Sequence, residues 1–385
     1  MDDAIAAAWQ SPLLAIPGAV EASGPDAGVA AHYGNPLVEQ RRLVSGEAIV
    51  DLSSRAVLTV TGPDRLTWLN SITSQRLDRL GPGESSETLL LDVTGRLEYA
   101  VRVLDDGSTT WLLLDHDEAA GLHAWLESMR FMLRVEVADR SSDFATIGTL
   151  GEPDLPVARS GDVELIWRDP WHQVATGGHQ YARTDEHPGS GWTWSEILIP
   201  RERLTDLAGD ARSGAVKVAG LLAMEALRIA AWRPRFATEA DERTIPHELD
   251  WLRTAVHLDK GCYRGQETVA KVHNLGHPPR RLVMLHLDGS DGVVPGPGSP
   301  VRLSEDDDAK DVGTITSSAL HYEYGPIALA VLKRQTDGDA TLYVRAEDGT
   351  IVSAAQEIVV PPDAGGEANV PRIPRLGQVT RPRAR

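Results

Sequence analysis

The residues best suited to chemistry lie in one run, Lys260-Gly261-Cys262-Tyr263-Arg264-Gly265-Gln266-Glu267. Cys262 is the only cysteine of the chain. A cysteine used as core filler usually sits among Val, Ile or Leu. This one sits in a polar stretch with two glycines and two basic residues, and nearby positive charge favours the thiolate. The chemistry of such a segment is nucleophilic or redox. Cys262 is the candidate reacting group, and Lys260 is the candidate cation that lowers its pKa or holds an anion by itself. Gly261 and Gly265 allow a tight backbone and close approach of a ligand. Tyr263 can wall a cavity, and Gln266 and Glu267 can cap a following helix or accept bonds from the loop. His273 and His277 follow closely, and one of them is an optional base for the thiol. No Cys–His spacing here is diagnostic, and both read more simply as loop residues leading into Pro278-Pro279.

A second group falls on a helix expected over Lys217 to Ala231 and stopped by Pro234. Arg228 is a bidentate clamp for a carboxylate or a contact for a heterocycle edge. Trp232 lies about one turn further on and can share that face, although a helix-end core aromatic is the blander reading. Glu225 is spaced to pair with Arg228 and orient it.

Composition narrows the classes. The chain has 385 residues, 42% hydrophobic and 24% charged, enough for two or three ordinary globular domains. No window is long and apolar enough to span a bilayer, and the acidic start Met1-Asp2-Asp3 lacks the positive region of a secretory signal. A cytoplasmic protein with no membrane partner is expected. A net charge of −18 repels a phosphate backbone, so no nucleic-acid partner is expected either. A small anion in a local basic pocket stays compatible. One cysteine excludes an intramolecular disulfide and a self-contained Cys-rich zinc or iron–sulfur site. No metal site is expected, and Glu305-Asp306-Asp307-Asp308 reads as a solvated acidic loop.

The elements that must position these groups follow from the pattern. Residues 1–45, rich in Ala, Gly and Pro, read as a loosely packed or partly disordered extension. Strands are expected at Ala56–Thr61, Thr88–Val93, Arg96–Leu104 and Thr109–Leu114, then a helix over Asp117–Phe131, then strands at Leu133–Val137 and Phe144–Leu150. A second lobe, residues 151–275, carries strands at Asp162–Trp167, Gln180–Thr184 and Ser195–Ile199. From Arg281 short strands at regular spacing predict a small antiparallel barrel or sandwich over residues 276–360. Residues 361–385 read as a disordered basic tail.

The run around Cys262 resembles the KGCYxGQE signature of the YgfZ family. That family comprises folate-binding proteins related to the glycine-cleavage aminomethyltransferase (GcvT), and they support iron–sulfur enzymes. Other segments look like the same superfamily: Val50-Asp51-Leu52-Ser53-Ser54-Arg55, Thr61-Gly62-Pro63-Asp64-Arg65, Glu225-Ala226-Leu227-Arg228-Ile229 and Thr244-Ile245-Pro246-His247-Glu248. The likeness covers roughly residues 46–360. It implies an α+β fold, with two mixed lobes (46–150 and 151–275) around a central hole and a C-terminal barrel. Tetrahydrofolate or a one-carbon derivative would occupy the hole, held by Arg228, Trp232, Tyr263, Gly261, Gln266, Glu267 and Tyr99. The sequence departs from the aminomethyltransferase branch at its aspartate pair. Tyr99 and Ala100 fill those positions, and Glu98 is one residue off, which on a strand points to the opposite face. The resemblance thus implies a folate-binding accessory protein for iron–sulfur assembly or repair, with iron–sulfur client proteins as partners and Cys262 as the reactive residue. The alternative is a folate-dependent aminomethyl- or methyltransferase, with Glu98 replacing the aspartate. A cysteine-nucleophile enzyme would need a Cys262–His pair.

Overall fold

The computed structural model describes residues 9–368 apart from Asp291 and Asp307. Two five-stranded sheets and a closed six-stranded barrel carry the chain in an α+β arrangement. The first sheet runs Ser85–Leu91, Leu97–Asp105, Thr109–Leu114, Ala56–Thr61, Glu136–Asp139, antiparallel throughout. Its outer face buries Leu58, Val60, Val101, Val103 and Leu112 under the helix His116–Met129, which contributes Ala119, Leu122 and Leu126. The second sheet runs Ile166–Arg168, Ser195–Pro200, Phe144–Thr149, Ala48–Asp51, Lys217–Ala219. Its last pair is parallel and the others antiparallel.

The lobes are therefore not consecutive in the chain. Ala48–Asp51 and Phe144–Thr149 precede residue 150 yet pair within the second sheet, so a division at 150 cuts through it. Each strand is legible by itself, but its sheet is decided by partners far away in the chain.

Lys217–Ala219 is a strand rather than the first turn of a helix. Pairing with Ala48–Val50 overrides its helical composition. Gly220 then separates it from the helix Leu221–Ala230. A Cβ on Gly220 would come within 2.3 Å of the Ala31 carbonyl oxygen. Gln180–Thr184 forms no strand; the Tyr181 amide is taken by the buried Asp250 carboxylate instead. The barrel strands form where expected: Arg280–Leu287, Pro300–Arg302, Gly313–His321, Gly325–Lys333, Leu342–Arg345 and Ile351–Ile358. Every second residue of Arg280–Leu287, namely Val283, Leu285 and Leu287, enters the barrel core.

The N-terminal stretch is better packed than its composition suggests. Leu13, Val29 and Leu43 are fully buried. The helix Pro36–Val44, capped by Asn35, lies on Leu221–Ala230. The carboxylate of Asp26 receives both terminal nitrogens of Arg235 at 2.6 and 2.8 Å. Residues 361–368 also pack back, the Ala364 carbonyl meeting His277 Nδ1 at 2.9 Å. The basic residues Arg372, Arg375, Arg381, Arg383 and Arg385 lie outside the described residues. Among the described residues, no helix is long and apolar enough to cross a membrane.

The Asp26–Arg235 pair tests how integral the N-terminal stretch is. Asp26→Ala strands part of a buried guanidinium and should lower unfolding free energy by about 2–4 kcal/mol, read from urea transitions. A change within about 0.5 kcal/mol, as at an ordinary surface site, would mean this stretch does not hold the centre.

Candidate functional site

Charged residues inside otherwise apolar strands are rare unless paired, and here several point at one place. Glu87 comes from Ser85–Leu91, Arg102 from Leu97–Asp105 and Glu196 from Ser195–Pro200. Arg55 precedes the first sheet, and Asp115 and Glu118 open the helix His116–Met129 as a capping box. The helix Leu221–Ala230 adds Arg228. Just past its end Trp232 adopts φ 56°, a left-handed conformation strained for a bulky side chain. Arg233 and Arg235 follow it into the same space. Together these charged side chains, without Trp232, line a central cavity with Trp192, Trp194 and Trp251. The Trp192 and Trp194 rings stack at 5.3 Å.

The cavity is knitted by ion pairs. Arg55 Nη1 donates to Glu196, and its Nε lies 3.4 Å from Asp115. Arg233 spans Glu87 at 2.7 Å and Asp169 at 2.9 Å. Arg235 Nε meets Asp115 at 3.1 Å. Arg228 is fully engaged: Glu225 takes Nε and Nη2, Glu239 and the Arg233 carbonyl take Nη1, and Ser317 Oγ of the barrel accepts at 2.8 Å. Arg102 is held least closely, 3.4 Å from Glu196 and 3.7 Å from Asp115. Burial pulls Asp115 upward, but Arg235, Arg55 and Arg102 hold it well below the usual carboxylate range. Burial and the neighbouring Asp115 charge push Glu118 up to about 7. Its carboxyl therefore exchanges a proton near neutrality while facing the cavity.

The pairing is incomplete. Among the described residues fifteen buried side-chain nitrogen and oxygen atoms lack a hydrogen-bond partner. Six of them belong to this lining: Arg55 Nε, Arg102 Nη1, Arg233 Nη1, Asp115 Oδ1, Glu118 Oε1 and Glu196 Oε2. Unmet buried donors and acceptors are rare and call for water, an ion or a polar ligand. The space clear of side chains is 50 Å³, room for a few waters as it stands.

A crystal structure of the glycine-cleavage aminomethyltransferase T from Bartonella henselae superposes with a TM-score of 0.68, over 90% of this chain and 94% of that one, at 17% identity. This chain has the aminomethyltransferase fold. Its sequence is 26% identical over 321 residues to a chloroplastic Arabidopsis thaliana protein that bears a transferase name, covering 79% of this chain and 69% of that protein. It is 26% identical over 313 residues to the aminomethyltransferase of Rippkaea orientalis, covering 77% and 81%. These relatives and the shared fold place the chain in the aminomethyltransferase-like superfamily. No protein-family model matches it.

The cysteine run lies apart from the cavity, and none of residues 260–267 lines it. Lys260 does not face the thiol. Its Nζ donates to the carbonyls of Asn70, Thr73 and Gln75 at 2.5, 2.6 and 2.8 Å, closing the end of the helix Arg65–Ile72. Burial brings its pKa down to about 8. Tyr263 is buried beneath that ammonium, 5.1 Å from ring centre to Nζ. Gln266 opens the helix Gln266–Leu275 and bonds back to the Lys260 carbonyl at 3.3 Å, and Glu267 sits exposed in its first turn. Gly261 has open space where a Cβ would be, so sterics do not demand glycine there. Gly265 does require it, with φ 83° and the Asp92 carbonyl oxygen 2.7 Å from a built Cβ. Cys262 is exposed. His273 turns to Tyr181 and His277 to Ala364, so the Cys–His pair of a nucleophile site is not formed with either.

Of the proposed ligand contacts only Arg228 reaches the cavity wall. Trp232 is buried against His187, ring centres 5.3 Å apart. Tyr99 packs on the outer face of its sheet, its hydroxyl against Gly121, while Ala100 faces the cavity. Glu98 pairs with Arg264 at 2.7 Å, which keeps its carboxylate out of the centre.

Two substitutions check this division. Glu118→Gln removes a carboxyl whose folded pKa lies above its unfolded value. A raised carboxyl is destabilising once both states ionise, so wild type loses stability relative to the variant as pH rises from about 5 to about 8. Urea midpoints measured across that range should show the gap opening, and a pH-independent gap would contradict it. Lys260→Met strands three carbonyls and should cost about 2–4 kcal/mol of folding stability, whereas an activating lysine would leave stability unchanged.

Proposed function

We propose that the central cavity binds a reduced folate, and that the chain does not carry out carboxylate-assisted aminomethyl transfer. The carrying observation is the cluster of six donors and acceptors without a hydrogen bond, four of them outside the loose Arg55–Asp115 ion pair, backed by stacked tryptophans. A pterin edge presents adjacent N–H donors that suit the free Glu196 Oε2 and the neighbouring Asp115 Oδ1, which is held only by long ion pairs. The free guanidinium nitrogens of Arg102 and Arg233 suit its acceptors and the carboxylates of the tail. Arg102, which has no ion pair closer than 3.4 Å and a side chain 15% exposed, is the group that yields space. Against transfer chemistry stands Ala100, which brings no carboxylate to the position where the resemblance leads one to expect an aspartate. The support of iron–sulfur enzymes implied by the KGCYRGQE run rests on that run, with the exposed thiol of Cys262 available to a client protein.

One observation favours the transferase reading, the near-neutral carboxyl of Glu118. That reading predicts turnover of an aminomethyl donor by wild type, abolished in Glu118→Gln.

Calorimetric titration with tetrahydrofolate decides the binding reading. Wild type and Cys262→Ala should bind alike, and Glu196→Gln should bind about tenfold or more weakly, the loss of one charged hydrogen bond. Absence of saturable binding to wild type would overturn it.

A further inference from the structure

The next densest group of unmet polar atoms lies in the barrel. Arg281 alternates with Val283, Leu285 and Leu287 and sits opposite Leu332 of the barrel core. Its side chain therefore points inward at one end of the barrel. It is 0% exposed. Nη2 donates to the Thr336 carbonyl at 2.9 Å and to Gln356 Oε1 at 2.8 Å. Nε and Nη1 have no hydrogen-bond partner, and neither has the buried hydroxyl of Thr336. The bond to the Thr336 carbonyl brings the Arg281 guanidinium to the loop 334–341, which joins the strands Gly325–Lys333 and Leu342–Arg345.

Seven arginines are buried among the described residues. Arg55, Arg65, Arg228, Arg233 and Arg235 pair with carboxylates. Arg253 feels Asp250. Arg281 alone has neither an ion pair nor an acidic group acting on it, and burial lowers its pKa with no compensating charge. A buried guanidinium without a counter-ion is costly in a finished core, so the position favours an anionic ligand. Outside the same loop is a cleft of 460 Å³ to which Thr336 also contributes. Its wall holds Lys333 and Arg334 and no acidic residue. Both cations donate to main-chain carbonyls, of Asp311 and Pro362, so their charge is not neutralised there by a carboxylate. On a chain of net charge −18, such an acid-free corner is uncommon.

We propose that this end of the barrel is a phosphate-binding site, separate from the central cavity, in which Arg281 and Thr336 take the phosphate group of a small phosphorylated ligand admitted through the cleft beside Lys333 and Arg334. A tetrahedral phosphate group turns oxygens and charge in several directions at once, which suits donors converging from two side chains and nearby cations better than a planar carboxylate does.

The test uses the full chain and inorganic phosphate, followed by calorimetry and thermal melting in a buffer free of other oxyanions. Wild type should bind saturably and melt at higher temperature with phosphate. Arg281→Met should bind at least about tenfold more weakly and, freed of its unpaired charge, melt no lower than wild type without ligand. Thr336→Val guards against a folding defect in the first variant and should also weaken binding. Arg159→Ala, at an exposed ion pair with Glu164 that neither site uses, should leave phosphate binding unchanged. Full phosphate binding by Arg281→Met and Thr336→Val would overturn the proposal, as would acetate binding as tightly as phosphate. Because the central cavity is not involved, failure here leaves the folate reading untouched, and the reverse holds too.

Discussion

Charge neutrality at the centre is the constraint on which the rest depends. Five guanidinium groups converge where two sheets, a helix end and the barrel meet. Each must find carboxylates there, because removing one partner of a buried pair costs about 3–5 kcal/mol. The partners come from every part of the chain: Asp26 from the N-terminal stretch, Glu87 and Asp115 from the first lobe, Asp169 and Glu196 from the second, and Ser317 from the barrel. The lattice thus fixes how the three parts sit. It also explains the strained Trp232, since left-handed backbone at that point swings Arg233 and Arg235 inward. Where the lattice fails to satisfy itself, a ligand has its opportunity.

Much of the fold was legible locally. The barrel strands announced themselves by alternation and by Gly and Asp turns, and the helix over 116–129 by its Leu122–Leu126 stripe. Lys217–Ala219 misled because its pairing partner lies about 170 residues away, beyond any local window. The site was less legible. Arg228 was found through the helix motif that contains it. Arg55, Arg102, Glu87, Asp169 and Glu196 sit singly in separate segments, and only folding brings them together. The usable signal was a charge inside each apolar strand, as with Glu87 among Thr88, Leu89 and Leu90, together with the Arg233-Pro234-Arg235 pair.

The cysteine run invited a single composite site, and the molecule divides it. Lys260 spends its charge on helix-end carbonyls, Tyr263 serves as its cushion, and Gly265 lets the following helix approach the turn at Gly95. Most of the run is thereby a mounting for one exposed thiol. The link back to the cavity is mechanical: Arg264 holds Glu98, and two residues along the same strand Ala100 forms part of the cavity wall.

The parallel pairing of Ala48–Asp51 with Lys217–Ala219 bears on how the protein is made. During synthesis the second sheet stays open on one side until residue 219 leaves the ribosome, about ten to thirty seconds after residue 48 at ordinary elongation rates. For that interval an apolar strand, Ala48-Ile49-Val50, presents an unpaired edge, the kind of surface that invites other chains to add to it. The nascent protein is therefore a natural customer for chaperones that bind early on the ribosome.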